Sequence, residues 1–350
     1  MSISSILISW YLQKKRNLPW RNTGNPYHIW ISEIILQQTR VAQGLGYYER
    51  FIASFPDIKS LANAQPEEVL KVWQGLGYYS RARNLHAGAK YVLQQLNGVI
   101  PSNYEELLKI KGVGEYTAAA IGSFAFNIPL PVVDGNVNRV LARFFGIHDP
   151  INSTSGIKQI RIIAEKILDV ENPGIHNQAI MEFGALQCTI RSPDCVSCPL
   201  QKNCFAFIHD EVSILPNKIR NQKIRNRYFN YLVITFGDAV YIKQRQRKDI
   251  WEGLYDFPLI ETEKLTQKEE LTQHKDWFLI FGKHTYEIAH ISSEFKHQLS
   301  HQTIHATFYF IRINNKLNTS LKNEEIIKWK DFFQYPVSKL IDNYISTIEL

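Results

Sequence analysis

The sequence predicts a mostly helical first two thirds followed by a smaller α+β region. Three observations carry this reading. Up to about residue 210, long segments follow helical periodicity and strand-like alternation is scarce. Residues 210–227 hold Pro216, Asn217 and a Lys/Arg-rich run without that periodicity. Beyond Tyr228, the runs 231–236, 240–242 and 305–311 are rich in β-branched and aromatic residues. The expected divisions are 1–210, a linker at 211–227, and 228–350.

Residues 6–12 are apolar, but no basic segment precedes them and no small-residue cleavage site follows. They read as a helix rather than a signal peptide. Gly75-Leu76-Gly77 and Gly112-Val113-Gly114 interrupt the helices as tight turns. Ser102 with Glu105 forms a capping box that starts a helix near Asn103. Residues 329–335 and the last residues read as a strand end followed by a helix. No apolar run reaches the ~20 residues that span a bilayer. The chain is expected to be soluble, cytoplasmic, monomeric and without a membrane partner.

Hydrophobic residues make up 45% of the chain, enough for real cores. Residues 1–227 hold 25 Lys and Arg against 17 Asp and Glu, a net +8; residues 228–350 hold 15 against 16, a net −1. The basic excess lies in the helical part, where it suits a polyanion such as DNA.

All four cysteines, Cys188, Cys195, Cys198 and Cys204, fall in one stretch with the spacing C-x6-C-x2-C-x5-C. Such a cluster in a cytoplasmic protein reads as a metal site rather than a set of disulfides. Zinc sites usually use two close pairs, and only one is close here. A cuboidal iron–sulfur cluster takes four thiolates from one compact loop, and the spacing favours it over zinc.

The turn Gly112-Val113-Gly114 joins two helices. Glycines let a backbone approach a phosphate, and the next helix offers free N–H groups to it. This is a helix–hairpin–helix reading. Asp134 follows, between an apolar run and Gly135.

These pieces together resemble the endonuclease III superfamily of base-excision glycosylases. Residues 30–41, Pro19-Trp20-Arg21, Gly75-Leu76-Gly77-Tyr78-Tyr79 and Asn177-Gln178-Ala179 narrow the likeness to the adenine glycosylases of the MutY type. The resemblance covers the whole chain. It implies a six-helix barrel and an iron–sulfur cluster domain that clamp duplex DNA, a helix–hairpin–helix, and a Nudix-like C-terminal domain. It also implies base flipping, because the glycosidic bond is out of reach inside the stack. The implied cofactor is a [4Fe-4S] cluster. The implied partner is double-stranded DNA carrying adenine opposite 8-oxoguanine or guanine.

The likeness assigns roles residue by residue. Glu33 lies among Ile31, Ile34, Ile35 and Leu36, where burial raises a carboxyl pKa. The resemblance makes it the general acid at N7 of adenine. It makes Asp134 the charged carboxylate beside the developing oxocarbenium ion, a division of labour known from glycoside hydrolysis. Bifunctional relatives carry a Schiff-base lysine where this chain has Tyr116, which implies a monofunctional enzyme. Gln38 and Tyr78 match wedge residues that enter the base stack. Trp20, Arg21, Leu36, Val41, Gln178 and Glu182 match the adenine pocket or its rim. Gln178 and Glu182, four apart, share a helix face.

The stretch 251–258 looks like a Nudix segment, but no metal-binding box follows it, so pyrophosphatase activity is not expected. The family's lesion-sensing Phe-Ser-His loop corresponds to Leu299-Ser300-His301, with leucine for phenylalanine. The expected reaction is hydrolysis of the bond to adenine opposite 8-oxoguanine, and less readily opposite guanine. Two rivals are a glycosylase/lyase for oxidised pyrimidines and a non-catalytic DNA-binding iron–sulfur protein.

Overall fold

A computed structural model describes residues 2–219, 224–246, 249–317 and 324–348. Of the expected linker, residues 220–223 lie outside the described residues. The chain divides into two compact units. The first comprises Met1–Asn63 and Asn84–Arg220, the second Ala64–Arg83 and Asn221–Leu350. The expected divisions are contiguous, whereas the second unit takes in an earlier segment.

The first unit is helical. One of its cores joins Leu7 and Tyr11 of the helix Ile3–Lys14 to residues of three later helices. These are Val140 and Leu141 of Gly135–Phe145, Ile160 of Thr154–Ile167, and Ile180 and Phe183 of Pro173–Leu186. Each such burial contributes about 1.5–3 kcal/mol. Asp134 starts the helix Gly135–Phe145 and Gly146 ends it in a left-handed conformation. The core thus fixes the helix on which Asp134 is the cap.

The second unit is built on a mixed sheet. In chain order its strands are β1 Arg225–Phe236, β2 Ala239–Gln244, β3 Tyr255–Asp256, β4 Leu259–Thr262, β5 Tyr286–Ile291, β6 Phe295–Gln298, β7 Gln302–Ile313 and β8 Glu324–Lys328. Their main order is β3-β2-β1-β7-β5. The parallel pair of β1 with β7 runs from Arg225↔Gln302 to Thr235↔Arg312. Both strands alternate into cores, with Leu232, Ile234, Tyr309 and Ile311 on one of them. The early segment is tied in by polar contacts. Lys71 Nζ donates to the Tyr335 carbonyl (3.1 Å), and the Val337 amide donates to Gln74 Oε1 (3.2 Å).

Two expectations are corrected. Asn103, not Ser102, caps the helix Tyr104–Leu107, accepting from the Glu106 amide at 3.1 Å. Asparagine caps as well as serine and stands next to the first helical residue. Residues 329–335 are not a strand end: β8 stops at Lys328, and Trp329–Gln334 is a 3-10 turn. Phe257 stacks on Phe332 of that turn, centroids 5.4 Å apart, an aromatic packing that overrides strand propensity. Among the described residues, no helix is long and apolar enough to cross a membrane.

Candidate active site

The helix Pro26–Leu36 buries eight of its 11 residues, Glu33 among them. Glu33 is 6% exposed. Burial pushes its pKa up to about 7, because the charged form loses water. The Tyr116 hydroxyl donates to Glu33 Oε2 at 2.7 Å and opposes the shift. The charge of Asp134 adds to it and that of Arg21 subtracts. Tyr116 itself is held as the neutral phenol, first by burial and then by the carboxylates of Glu33 and Asp134.

Asp134 caps the helix Gly135–Phe145. Its Oδ1 accepts from the amides of Asn136 (2.8 Å) and Val137 (2.7 Å), and its Oδ2 from Asn136 Nδ2 (2.7 Å). Burial raises its pKa, against these three bonds, which favour the charged form. Glu33 and Asp134 line one cavity of about 520 Å3. That volume suits a small-molecule site. Trp20, Arg21, Leu36, Gln38, Val41, Tyr116, Gln178 and Glu182 line it too. The structure therefore brings together ten residues singled out from five stretches of sequence.

Two of them are held by side chains that include Tyr11 and Arg16, which the sequence did not single out. Tyr11 Oη donates to Gln178 Oε1 at 2.5 Å. Glu182, 1% exposed, is gripped by Arg16 and Arg21. Arg16 approaches through Nε, Nη2 and its own amide, Arg21 through Nη1 and Nη2, all within 2.9 Å. Burial opposes ionisation of Glu182, but these bonds win and hold its pKa at about 2. Glu182 is thus a buried counter-charge that fixes two arginines at the cavity wall.

At the hairpin, Gly112 has φ +85°, and a Cβ there would meet the Asn84 Cβ at 2.8 Å. Val113 is 5% exposed, so its side chain packs inward. Gly114 precedes the helix Glu115–Phe126 with no side-chain cap, leaving its first amides open. Lys111 is exposed and does not line the cavity.

The four cysteines are free thiols that line a second cavity with Arg143. Burial pushes Cys198 up to about 11 and raises Cys195 and Cys204. Arg143 Nη1 lies 3.4 Å from Cys188 Sγ and donates to the Thr189 carbonyl at 2.6 Å. A set of four neighbouring half-buried thiols fits a group that supplies compensating positive charge. Among the described residues, no three His, Cys, Asp or Glu side chains are arranged to hold a single metal ion.

Comparison with known proteins places the architecture. Residues 31–167 match the HhH-GPD superfamily of base excision DNA repair proteins, and residues 230–347 match the NUDIX domain. A thermostable thymine-DNA glycosylase of known structure aligns with a TM-score of 0.55 and 29% identity, over 59% of this chain and 95% of that one. The structure of an endonuclease III–DNA complex shares the fold at a TM-score of 0.52 and 24% identity, over 59% and 94%. The adenine DNA glycosylase of Buchnera aphidicola subsp. Baizongia pistaciae is 34% identical over 92% of this chain and 89% of its own length. The chain belongs to the adenine DNA glycosylase family. The human adenine DNA glycosylase is 44% identical over 57% of this chain and 38% of its own.

The enzyme is thus a base-excision-repair glycosylase with a helix–hairpin–helix and a Nudix-like sheet domain. In this glycosylase a chain of contacts leads from Asp134 to the cysteine loop. Asn136 Oδ1 accepts from Arg139 Nη2 (2.9 Å), and Arg139 Nε donates to the Cys188 carbonyl (2.7 Å). Gly184 allows the approach, since a Cβ there would meet the Asn136 Cβ at 2.6 Å.

In the second unit, Leu299, Ser300 and His301 form the turn between β6 and β7, closed by Leu299 N–H to the Gln302 carbonyl at 2.8 Å. The hydroxyls of Ser300 and Tyr78 lie 2.5 Å apart. Tyr78 is 44% exposed. Gln38 and Tyr78 both have left-handed backbones, φ +57° and +49°, which long and aromatic side chains avoid. Strain of this kind persists where the surroundings impose it, commonly at functional sites.

Proposed function

We propose that this glycosylase hydrolyses the N-glycosidic bond of adenine opposite 8-oxoguanine, and less readily opposite guanine. It leaves an intact abasic strand. The observation that carries the reading is Glu33: buried in the cavity, holding its proton to about pH 7, with Asp134 as its neighbour. Adenine flipped from the duplex enters the cavity. Glu33 gives its proton to N7, the C1′–N9 bond breaks, and the base leaves neutral. Asp134, as the carboxylate, stabilises the positive charge left on the sugar until water adds. Tyr116 stands where a lyase needs its lysine, and no lysine lines the cavity among the described residues. This favours hydrolysis alone.

Gln38 and Tyr78 act as wedges, and the turn 299–301 reads the oxidised guanine. Its bond to Tyr78 supports that pairing of roles. Gly112, Val113 and Gly114 offer backbone to a phosphate, as does the open helix start behind them. Cys188, Cys195, Cys198 and Cys204 would hold a [4Fe-4S] cluster. Such a cluster supplies the positive charge that binds four thiolates and staples the loop.

The test is Glu33→Gln against the parent enzyme on a duplex with one adenine opposite 8-oxoguanine. Retained binding with lost single-turnover hydrolysis supports the reading. An active variant contradicts it.

A further inference from the structure

We propose that Trp251 is a positioning residue for lesion recognition, acting through His297 on the turn 299–301. The proposal rests on reading that turn as the lesion sensor. Side chains alternate along β6 and into the turn. Phe295, His297 and Leu299 are half-buried, whereas Lys296, Gln298 and Ser300 are exposed. The inward row is anchored at its start by Phe295, whose ring lies 5.4 Å from Phe308 and 5.9 Å from Tyr344. The next inward ring, His297, meets Trp251 at 5.7 Å and 63°. Leu299 follows and opens the turn. Among the described strands β6 pairs with β7 alone, and its inward side chains add to the backbone bonds that hold the hairpin tip, Leu299 N–H to the Gln302 carbonyl and Arg225 N–H to the His301 carbonyl.

Trp251 is 8% exposed, yet its φ is +61°, a region that bulky residues avoid. Filling a core does not require that conformation. The surroundings impose it instead. Arg245 Nε donates to the Ile250 carbonyl (3.0 Å), and Leu254 N–H closes on the Trp251 carbonyl (3.0 Å). Asp249, two residues earlier, is held by Arg227 at 2.8 Å and Arg245 at 3.1 Å. The same two guanidiniums lie 4.8 and 5.8 Å from the Phe229 ring, which stands against Trp251 at 6.3 Å. Two arginines and a phenylalanine thus hold the Trp251 indole against the strand that leads into the turn at Ser300. Without the indole, His297 loses its stop and the Ser300 hydroxyl loses its fixed place beside Tyr78.

The test compares Trp251→Leu, His297→Leu and Ser300→Ala in the full-length enzyme. The measured quantity is the ratio of single-turnover rates on A:8-oxoguanine and A:G duplexes. All three variants are expected to lower the ratio about fivefold, the worth of one ordinary hydrogen bond. His297→Leu is half-buried on an edge, so it carries the test if Trp251→Leu fails to fold. A lowered ratio in Ser300→Ala with the parent ratio in folded Trp251→Leu or His297→Leu overturns the inference and spares the reading beneath it. An unchanged ratio in Ser300→Ala removes that reading and the inference with it.

Discussion

The Tyr116 hydroxyl donates to Glu33 Oε2 at 2.7 Å, across 83 residues of sequence. The bond favours the glutamate's charged form, while burial favours the neutral one and prevails. Tyr116→Phe therefore raises the Glu33 pKa further. The alkaline limb of the pH–rate profile should move to higher pH, and the maximal rate should fall about tenfold as the acid loses its orientation. An unmoved limb would show that Tyr116 does not tune the acid.

Glu33 and Asp134 together predict a bell-shaped profile. Glu33 must keep its proton, so activity falls as pH rises through about 7. Asp134 must lose its proton, so activity falls on the acid side, and burial moves that limb upward from the ordinary aspartate value. The two groups interact, and the limbs belong to the pair. Single-turnover rates from pH 4 to 9 check this.

Glu33→Gln should also stabilise the protein, in a pH-dependent way. The raised folded-state pKa means that native Glu33 is comfortable below its unfolded value and carries a buried charge above about 7. The gain in Tm from the substitution should be present at pH 8 and shrink towards pH 5. Equal gains at both would contradict the burial account.

Glu182→Gln leaves Arg16 and Arg21 without their shared counter-charge. Breaking such a buried pair costs about 3–5 kcal/mol. A large fall in Tm is expected, together with weakened activity because Arg21 lines the cavity. The depressed pKa of Glu182, about 2, means that its contribution is present above the ordinary glutamate value and is lost only as pH falls towards 2. Urea unfolding of both proteins at pH 7 and pH 3 measures it.

The path Asp134–Asn136–Arg139–Cys188 predicts that the cysteine loop and the carboxylate depend on each other. Arg139→Gln removes donors from the Cys188 and Gly184 carbonyls and from Asn136. Each buried carbonyl left bare costs about 1–3 kcal/mol. Iron content and hydrolysis rate should fall together. Full iron with a parent rate would separate the two sites.

Local chemistry was legible in the sequence. Cysteine spacing, the glycine hairpin and the apolar setting of Glu33 each occupy a short stretch. Pairings across the chain were not. Arg16 and Glu182 are 166 residues apart, Tyr78 and Ser300 222 apart, and no periodicity couples them. Gln178 and Glu182 read as one helix face, but only packing shows Glu182 buried under two arginines. The placing of Ala64–Arg83 in the second unit was hidden for the same reason: its hold is tertiary, through groups such as Lys71 and Gln74. At residues 329–335, aromatic packing chose a 3-10 turn that propensity does not favour.

The most direct measurement uses an end-labelled duplex with a single adenine opposite 8-oxoguanine. The predicted result is cleavage of the adenine strand at that site only after alkali, faster than for adenine opposite guanine. Cleavage without alkali would contradict hydrolysis alone, and an uncut strand would contradict adenine removal itself.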